Sequence, residues 1–249
     1  SLEDYVKDIT LSELTRVYCM DLLAESREMS LSEEELQKTA EAAGEYYASL
    51  TRDEISYMEV SEADIREYYE HYALAQKLYN SLTGEVNEEV SDDEARVMEI
   101  MQIYVSDQAK AMHVQQKLEA GDDFAAVAGN YNELSAIQIS VARDDLPKEV
   151  EEIAFQLDDN EISDRIEVEN GYYFIKCLNK YDVEQTEANK SNIVEKREKE
   201  AFDDVYHAFT AGLSSYLNEE AWEEVRLDAG EEIVTTGFFE VYEKYCSGI

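Results

Sequence analysis

Three histidines and three cysteines are the side chains of this chain best suited to nucleophilic, acid–base or metal chemistry near neutral pH. His71, His113 and His207 each fall in a stretch of helical character with no serine or cysteine motif beside it, so each reads as a surface or interface residue. Cys19, Cys177 and Cys246 lack the paired spacing of metal ligands, and an odd count cannot close a disulfide framework. Their redox state, and the compartment it would indicate, stay open. The acid-rich run DDNEISDRIEVE (158–169) lacks the spaced aspartates and central glycine of a calcium loop, and no glycine-rich loop offers a cradle for phosphate. No metal or cofactor is expected. Tyr173 poses a subtler question. It lies in EISDRIEVENGYYFIKCLNK (161–180), a strand, a tight turn at Asn170-Gly171 and a second strand that is apolar on both faces. For the residue alone, core packing with a satisfied hydroxyl is the expectation.

The elements that must position these residues fall into three blocks. In 12–26, Leu14, Val17, Tyr18, Met20, Leu22 and Leu23 form a helical stripe behind a Ser12 cap. Ser32 and Glu35 stand in capping-box spacing at the head of a second helix, and a third opens at Ser61 and stops at Gly84. Residues 84–95, GEVNEEVSDDEA, have no apolar period and read as a linker. Over 96–182 the order reads β-α-α-β-α-β-β, an interleaved α+β unit. From Val183 a long helix returns with Ile193, Phe202, Val205, Tyr206, Phe209 and Leu213 near one face, and a short strand is expected at 233–236. The expected domains are 1–95, 96–182 and 183–249, the first and last being the two parts of one mainly helical domain around the insert.

Composition narrows the partners. The 249 residues carry 21 basic and 59 acidic side chains, a net charge of −38, which is the wrong sign for holding a phosphate backbone or an anionic lipid surface. Residues 96–182 hold 8 basic and 18 acidic side chains, so most of the excess acid lies in the flanking segments, as a solvated face that maintains solubility. With 18 tyrosines and 7 phenylalanines the chain has core material, which argues against disorder, and a single proline, Pro147, with only 9 glycines favours helix. No apolar run is long enough to span a membrane, and the opening SLEDYVKDIT lacks the features of a signal peptide. Either the protein is cytoplasmic or a targeting segment has been removed.

The insert resembles the parvulin-type peptidyl-prolyl isomerase domain. KLEAGDDFAAVAGNY (117–131) looks like that family's helix, glycine turn and F-x-x-L-A-x-x-Y helix. LPKEVEEIAFQLDDNEISDRIEVENGYYFIKCL (146–178) looks like its E-x-A-F-x-L-x-x-x-E-[IV]-S-x-x-[IV] run and closing G-[YF]-H-[IL]-I-K strand. The flanking helices, with SEADIREYYEHY (61–72), are similar in layout to PrsA and SurA foldases, in which the two ends build one chaperone domain. The implied fold is α+β, a parvulin-like four-stranded sheet with helices inserted between helical segments.

Departures from the family pattern bear on activity. Gln102 stands where the resemblance places a histidine, and Tyr173 stands at the second histidine. Gln138 is the nearest equivalent of the loop acid, while Leu146 and Val150 take the positions of a methionine and a phenylalanine of the proline pocket, with Met101 beside them. Isomerisation needs no nucleophile or metal; its barrier of ~18–20 kcal/mol falls when the amide loses double-bond character in a site shaped for the twisted state. A phenol or a carboxamide cannot reproduce an imidazole with two distinct ring nitrogens. The resemblance therefore implies an extracytoplasmic folding factor, a lipoprotein or secreted protein with any signal and lipid anchor upstream. Its partners are unfolded or exported polypeptides, and its isomerase activity is weak or absent. An active isomerase and a cell-surface interaction module are the competing readings; clients and oligomeric state are not specified by the sequence. Tyr46, Tyr47, Tyr57, Met58, Tyr68, Tyr69, Tyr72 and Tyr79 would supply an adaptable apolar cradle, or else fill an ordinary helical core.

Overall fold

The structure, a computed structural model, describes residues 2–225, 227, 230 and 233–249. The chain divides into two compact units, one gathering the residues up to Val86 with Glu198–Ile249, the other Asn87–Arg197.

In the helical unit, α1 (Leu2–Ser26), α2 (Glu33–Ser49), α3 (Arg52–Met58) and α4 (Glu62–Thr83) come from one end of the chain. Local chemistry starts three of them. Ser32 accepts from the Glu35 amide while Glu35 reaches back to the Ser32 amide, and Thr51 with Glu54 and Ser61 with Asp64 repeat the arrangement. Ser12 is no cap: α1 runs through it from Leu2, and the sequence signal there was only a favourable residue inside a longer helix. From the other end come the last part of α9 (Val183–Thr210), α10 (Glu219–Glu224) and α11 (Phe238–Cys246). The amphipathic face of α11 completes the core on α2 and α4: Tyr46, Tyr69, Ala73, Tyr242 and Cys246 are buried together, with Tyr69 fully so. A second cluster joins Val17, Met20 and Leu23 of α1 to Ala75 and Leu78 of α4 and Phe202 of α9. Tyr46 and Tyr69 are thus core residues, whereas Tyr57 is exposed.

The strand expected at 233–236 does not form. Its polar groups are claimed locally instead: the Val234 amide donates to Glu54 Oε1 at 3.2 Å, and the Thr235 and Tyr46 hydroxyls pair at 2.5 Å.

In the second unit, α5 (Asp92–Ala95), capped by Ser91, sits within the expected linker. Then come β1 (Met98–Val105), α6 (Gln108–Glu119), α7 (Phe124–Tyr131), β2 (Gln138–Val141), α8 (Lys148–Ala154), β3 (Ile166–Val168) and β4 (Gly171–Asn179). The sheet is antiparallel throughout, in the order β2-β1-β4-β3. Its two faces carry separate cores. Met98, Ile100, Ile175 and Cys177 point to the face covered by α8, with Val150, Ala154 and Phe155; Ile103, Val105 and Phe174 point to the face covered by α6 and α7, with Val114, Phe124 and Val127. This unit extends past 96–182 because polar groups tie its flanks. Thr186 Oγ1 accepts from the Val97 amide, Asn189 donates to the Ala95 carbonyl, and Arg197 donates to the carbonyls of Asn87 and Glu89.

Candidate functional site

Alternation along β1 places Gln102 and Tyr104 on the face covered by α8, and the register pairs them across the ladder with Ile175 and Tyr173 of β4. Leu146, just before α8, and Val150, within it, pack against the same face. Four of the residues singled out in the sequence, Gln102, Tyr173, Leu146 and Val150, are therefore on one side of the sheet. Met101 and Gln138 are on the other. They pair with each other in the β1–β2 ladder; Met101 packs against the α6/α7 core, and exposed Gln138 donates from Nε2 to Glu99 Oε1 at 2.6 Å. A one-residue step along β1 accounts for the separation of Met101 from Gln102.

Each side chain on the α8 face has a defined environment. Gln102 is buried, with 6% exposure, and its Nε2 donates to the Ala136 carbonyl at 3.1 Å while its backbone amide donates to Ile137 O at 2.7 Å. Both bonds hold the approach to β2 against β1. Tyr173 is half-buried against Tyr104, ring centroids 4.9 Å apart, and burial followed by the neighbouring phenol pushes its hydroxyl above the usual tyrosine range. Val150 is fully buried in the core and Leu146 partly so. The face is a packed surface with polar edges, suited to positioning a chain by hydrogen bonds and contact.

Sequence reasoning missed two contributors. Tyr104 donates its hydroxyl to the Asn170 carbonyl at 2.6 Å, fixing the β3–β4 turn beside Tyr173. Ser163 is buried, accepts from the Ile175 amide through Oγ at 2.9 Å, and donates its own amide to Ile175 O at 2.8 Å. The serine of the E-[IV]-S run was the available signal. Just past Tyr104, at the end of β1, Glu133 receives Lys110 Nζ, the Ser106 hydroxyl and the Ser106 amide, which together hold its carboxyl down at about 2. Cys177 is fully buried and desolvation pushes its thiol up to about 11, the opposite of what a nucleophile needs. Among the described residues no group of three or more His, Cys, Asp or Glu side chains is placed to hold a metal ion. No helix among them is long and apolar enough to cross a membrane.

A four-stranded antiparallel sheet ordered β2-β1-β4-β3, with α8 on one face and α6 and α7 on the other, is the parvulin type of prolyl isomerase fold. The chain belongs to the PPIC-type PPIASE domain family, whose model matches residues 60–190. It is similar to foldase protein PrsA 3 of Bacillus anthracis, 29% identical over 122 residues that cover 47% of this chain and 43% of that protein. It is also similar to foldase protein PrsA of Halalkalibacterium halodurans, 25% identical over 203 residues covering 73% and 60% of the two chains. The match spans about two-fifths of the length of the PrsA 3 relatives, 43% and 40%. The crystal structure of the peptidylprolyl isomerase PrsA from Bacillus cereus superposes with a TM-score of 0.49 at 20% identity, covering 96% of this chain and 90% of that one.

Proposed function

We propose that this protein is an extracytoplasmic folding factor, secreted or lipid-anchored, that binds unfolded or newly exported polypeptides, and that its parvulin domain is weak or inactive as an isomerase. The degenerate site consists of Gln102 and Tyr173 with Leu146 and Val150 beneath them; Met101 and Gln138 act at most from the opposite face. The observation that carries the loss of activity is the Gln102 bond to Ala136: the side chain at the position of a family histidine is buried and already donating to the backbone. With one of its two N–H donors committed to Ala136 and the side chain buried, the carboxamide is held in orientation by the backbone and cannot turn toward a twisting prolyl amide without breaking that bond. The foldase relatives support the binding role, as do the exposed apolar side chains of the helical unit, among them Tyr18 and Leu22.

The test has two arms. The intact protein should suppress aggregation of a reduced, unfolding test protein, and it should accelerate cis-to-trans conversion of a proline tetrapeptide little above the uncatalysed rate of tens to hundreds of seconds. Absence of suppression refutes the binding role. A second reading, an active isomerase, is favoured by the family match across the whole sheet unit; a robust rate abolished by Gln102→Ala in a folded protein would establish it.

A further inference from the structure

The helical unit contains a groove of about 530 Å³ between α1 and α4, lined also by the chain entering α2. Its walls are Leu22 and Met29 from α1 and the turn after it, Leu31 and Leu36, and Leu74 from α4. Leu22 is 48% exposed and so presents its side chain to whatever enters the groove. At the floor is Asp21, whose side chain is 91% buried by its 9% exposure. One carboxylate oxygen meets His71 Nδ1 at 2.5 Å; the other, Oδ1, is buried with no hydrogen-bond partner. A buried carboxylate oxygen without a donor is costly, and a site that supplies one recovers that cost.

The charges around it select the donor. From α1, Glu25 faces the groove beside the Tyr18 phenol; from α4 come Glu67, 3.7 Å from His71 Nε2, and Glu70, which is held by Arg66. The stretch from Ser30 to Leu36 contributes apolar and hydroxyl lining but no charge to the groove. A cation is therefore complementary to the floor, and aliphatic groups to the walls.

We propose that this groove binds an extended segment of unfolded polypeptide that carries an arginine or lysine beside bulky aliphatic side chains, the cation donating to Asp21 Oδ1. The choice of ligand rests on the polypeptide-binding role proposed above. The high negative charge of the whole chain steers such segments in but gives no register; the single unpaired oxygen supplies it.

The experiment measures fluorescence anisotropy of short unstructured labelled peptides with the intact protein at moderate salt, comparing alternating Leu/Arg, Leu/Ser and Leu/Glu sequences. The Leu/Arg peptide should bind tightest. Asp21→Asn should weaken it about tenfold, the loss of roughly one charge-assisted hydrogen bond, while leaving the Leu/Ser peptide unchanged. Glu88→Gln, which removes the same charge from an exposed position in the other unit, should change neither. Wild-type affinity for Leu/Arg should fall as pH drops below about 6, where Asp21 takes up its proton. Should Asp21→Asn fail to fold, Leu22→Ser at an exposed position replaces it and should weaken both Leu/Arg and Leu/Ser. Equal binding of all peptides, or equal effects of Asp21→Asn and Glu88→Gln, or no effect of Leu22→Ser where it is needed, overturns the inference. Aggregation suppression is measured in parallel: suppression that survives with an indifferent groove sinks the groove alone, and no suppression with a selective groove sinks the folding-factor role alone.

Discussion

Tyr104 and Tyr173 face each other across β1 and β4, their rings 4.9 Å apart and tilted by 47° on the side of the sheet covered by α8. An aromatic pair in this geometry contributes about 0.5–1.5 kcal/mol beyond the area it buries. The pair also occupies the ground where the resemblance places an imidazole.

Putting histidine back should therefore fail. Gln102→His and Tyr173→His together are expected to leave the tetrapeptide rate near the uncatalysed one, because Val150 is buried in the core and the pocket remains unlined. Tyr173→His should also lower stability by about 1–2 kcal/mol as the smaller ring leaves a void against Tyr104. Thermal melts beside the kinetic assay check both. A large rate gain in the double variant would mean that the imidazoles alone were missing.

Gly171 admits no side chain. A Cβ there would come 2.6 Å from the Val105 carbonyl oxygen and 2.7 Å from the Tyr104 ring, and the carbonyl belongs to a paired strand that cannot move aside cheaply. Gly171→Ala should destabilise the sheet unit by roughly 1–3 kcal/mol, seen as a lowered midpoint in urea with little change in slope. An unchanged midpoint would show that β1 yields more easily than its hydrogen bonds suggest.

Thiol labelling should discriminate among the cysteines. Cys177 and Cys246 are buried with thiols raised by desolvation, whereas Cys19 is partly exposed. In the native protein at pH 8, mass spectrometry after brief alkylation should find Cys19 modified first, and all three modified only in denaturant. Early modification of Cys177 would contradict its place in the α8 core.

What the sequence disclosed was local or periodic. The box at Ser32 and the helix start at Ser61 were legible because a cap lies within three residues of the turn it serves, and the succession of strands and helices followed from apolar runs punctuated by glycine. Faces were harder: Gln138 was matched by position in the chain, but the β1–β2 register sets it opposite Met101 rather than Gln102. The hairpin turn was placed one residue late. Glu169 and Asn170 make it, and Gly171 already belongs to β4, needed for its close approach rather than for turning. The expected strand at 233–236 had the right residue types, yet its polar groups go to Glu54 and Tyr46, partners about 180 residues away that no local pattern can reveal. Asp21 and His71 are likewise 50 residues apart in sequence, and only the packing of α1 on α4 makes them a pair.

That pair gives a pH signature. Burial raises the Asp21 carboxyl to about 6 from 3.8, against the lowering effect of the His71 hydrogen bond and charge, with Glu25 adding to the rise. The folded state thus binds the Asp21 proton more tightly than the unfolded state. Its contribution to stability is fully present below about pH 4 and is lost as pH rises from about 4 to about 6, an effect on the order of 3 kcal/mol. Many other carboxylates titrate in the same range, so the measurable quantity is the difference from Asp21→Asn, which keeps an oxygen to accept from His71 but cannot ionise. Urea denaturation at half-unit steps should show the wild type losing stability relative to the variant between about pH 4 and 6, and a constant difference above about pH 7. A difference that stays flat throughout would mean that Asp21 titrates as an ordinary surface carboxylate, and that its second oxygen is solvated rather than waiting for a donor.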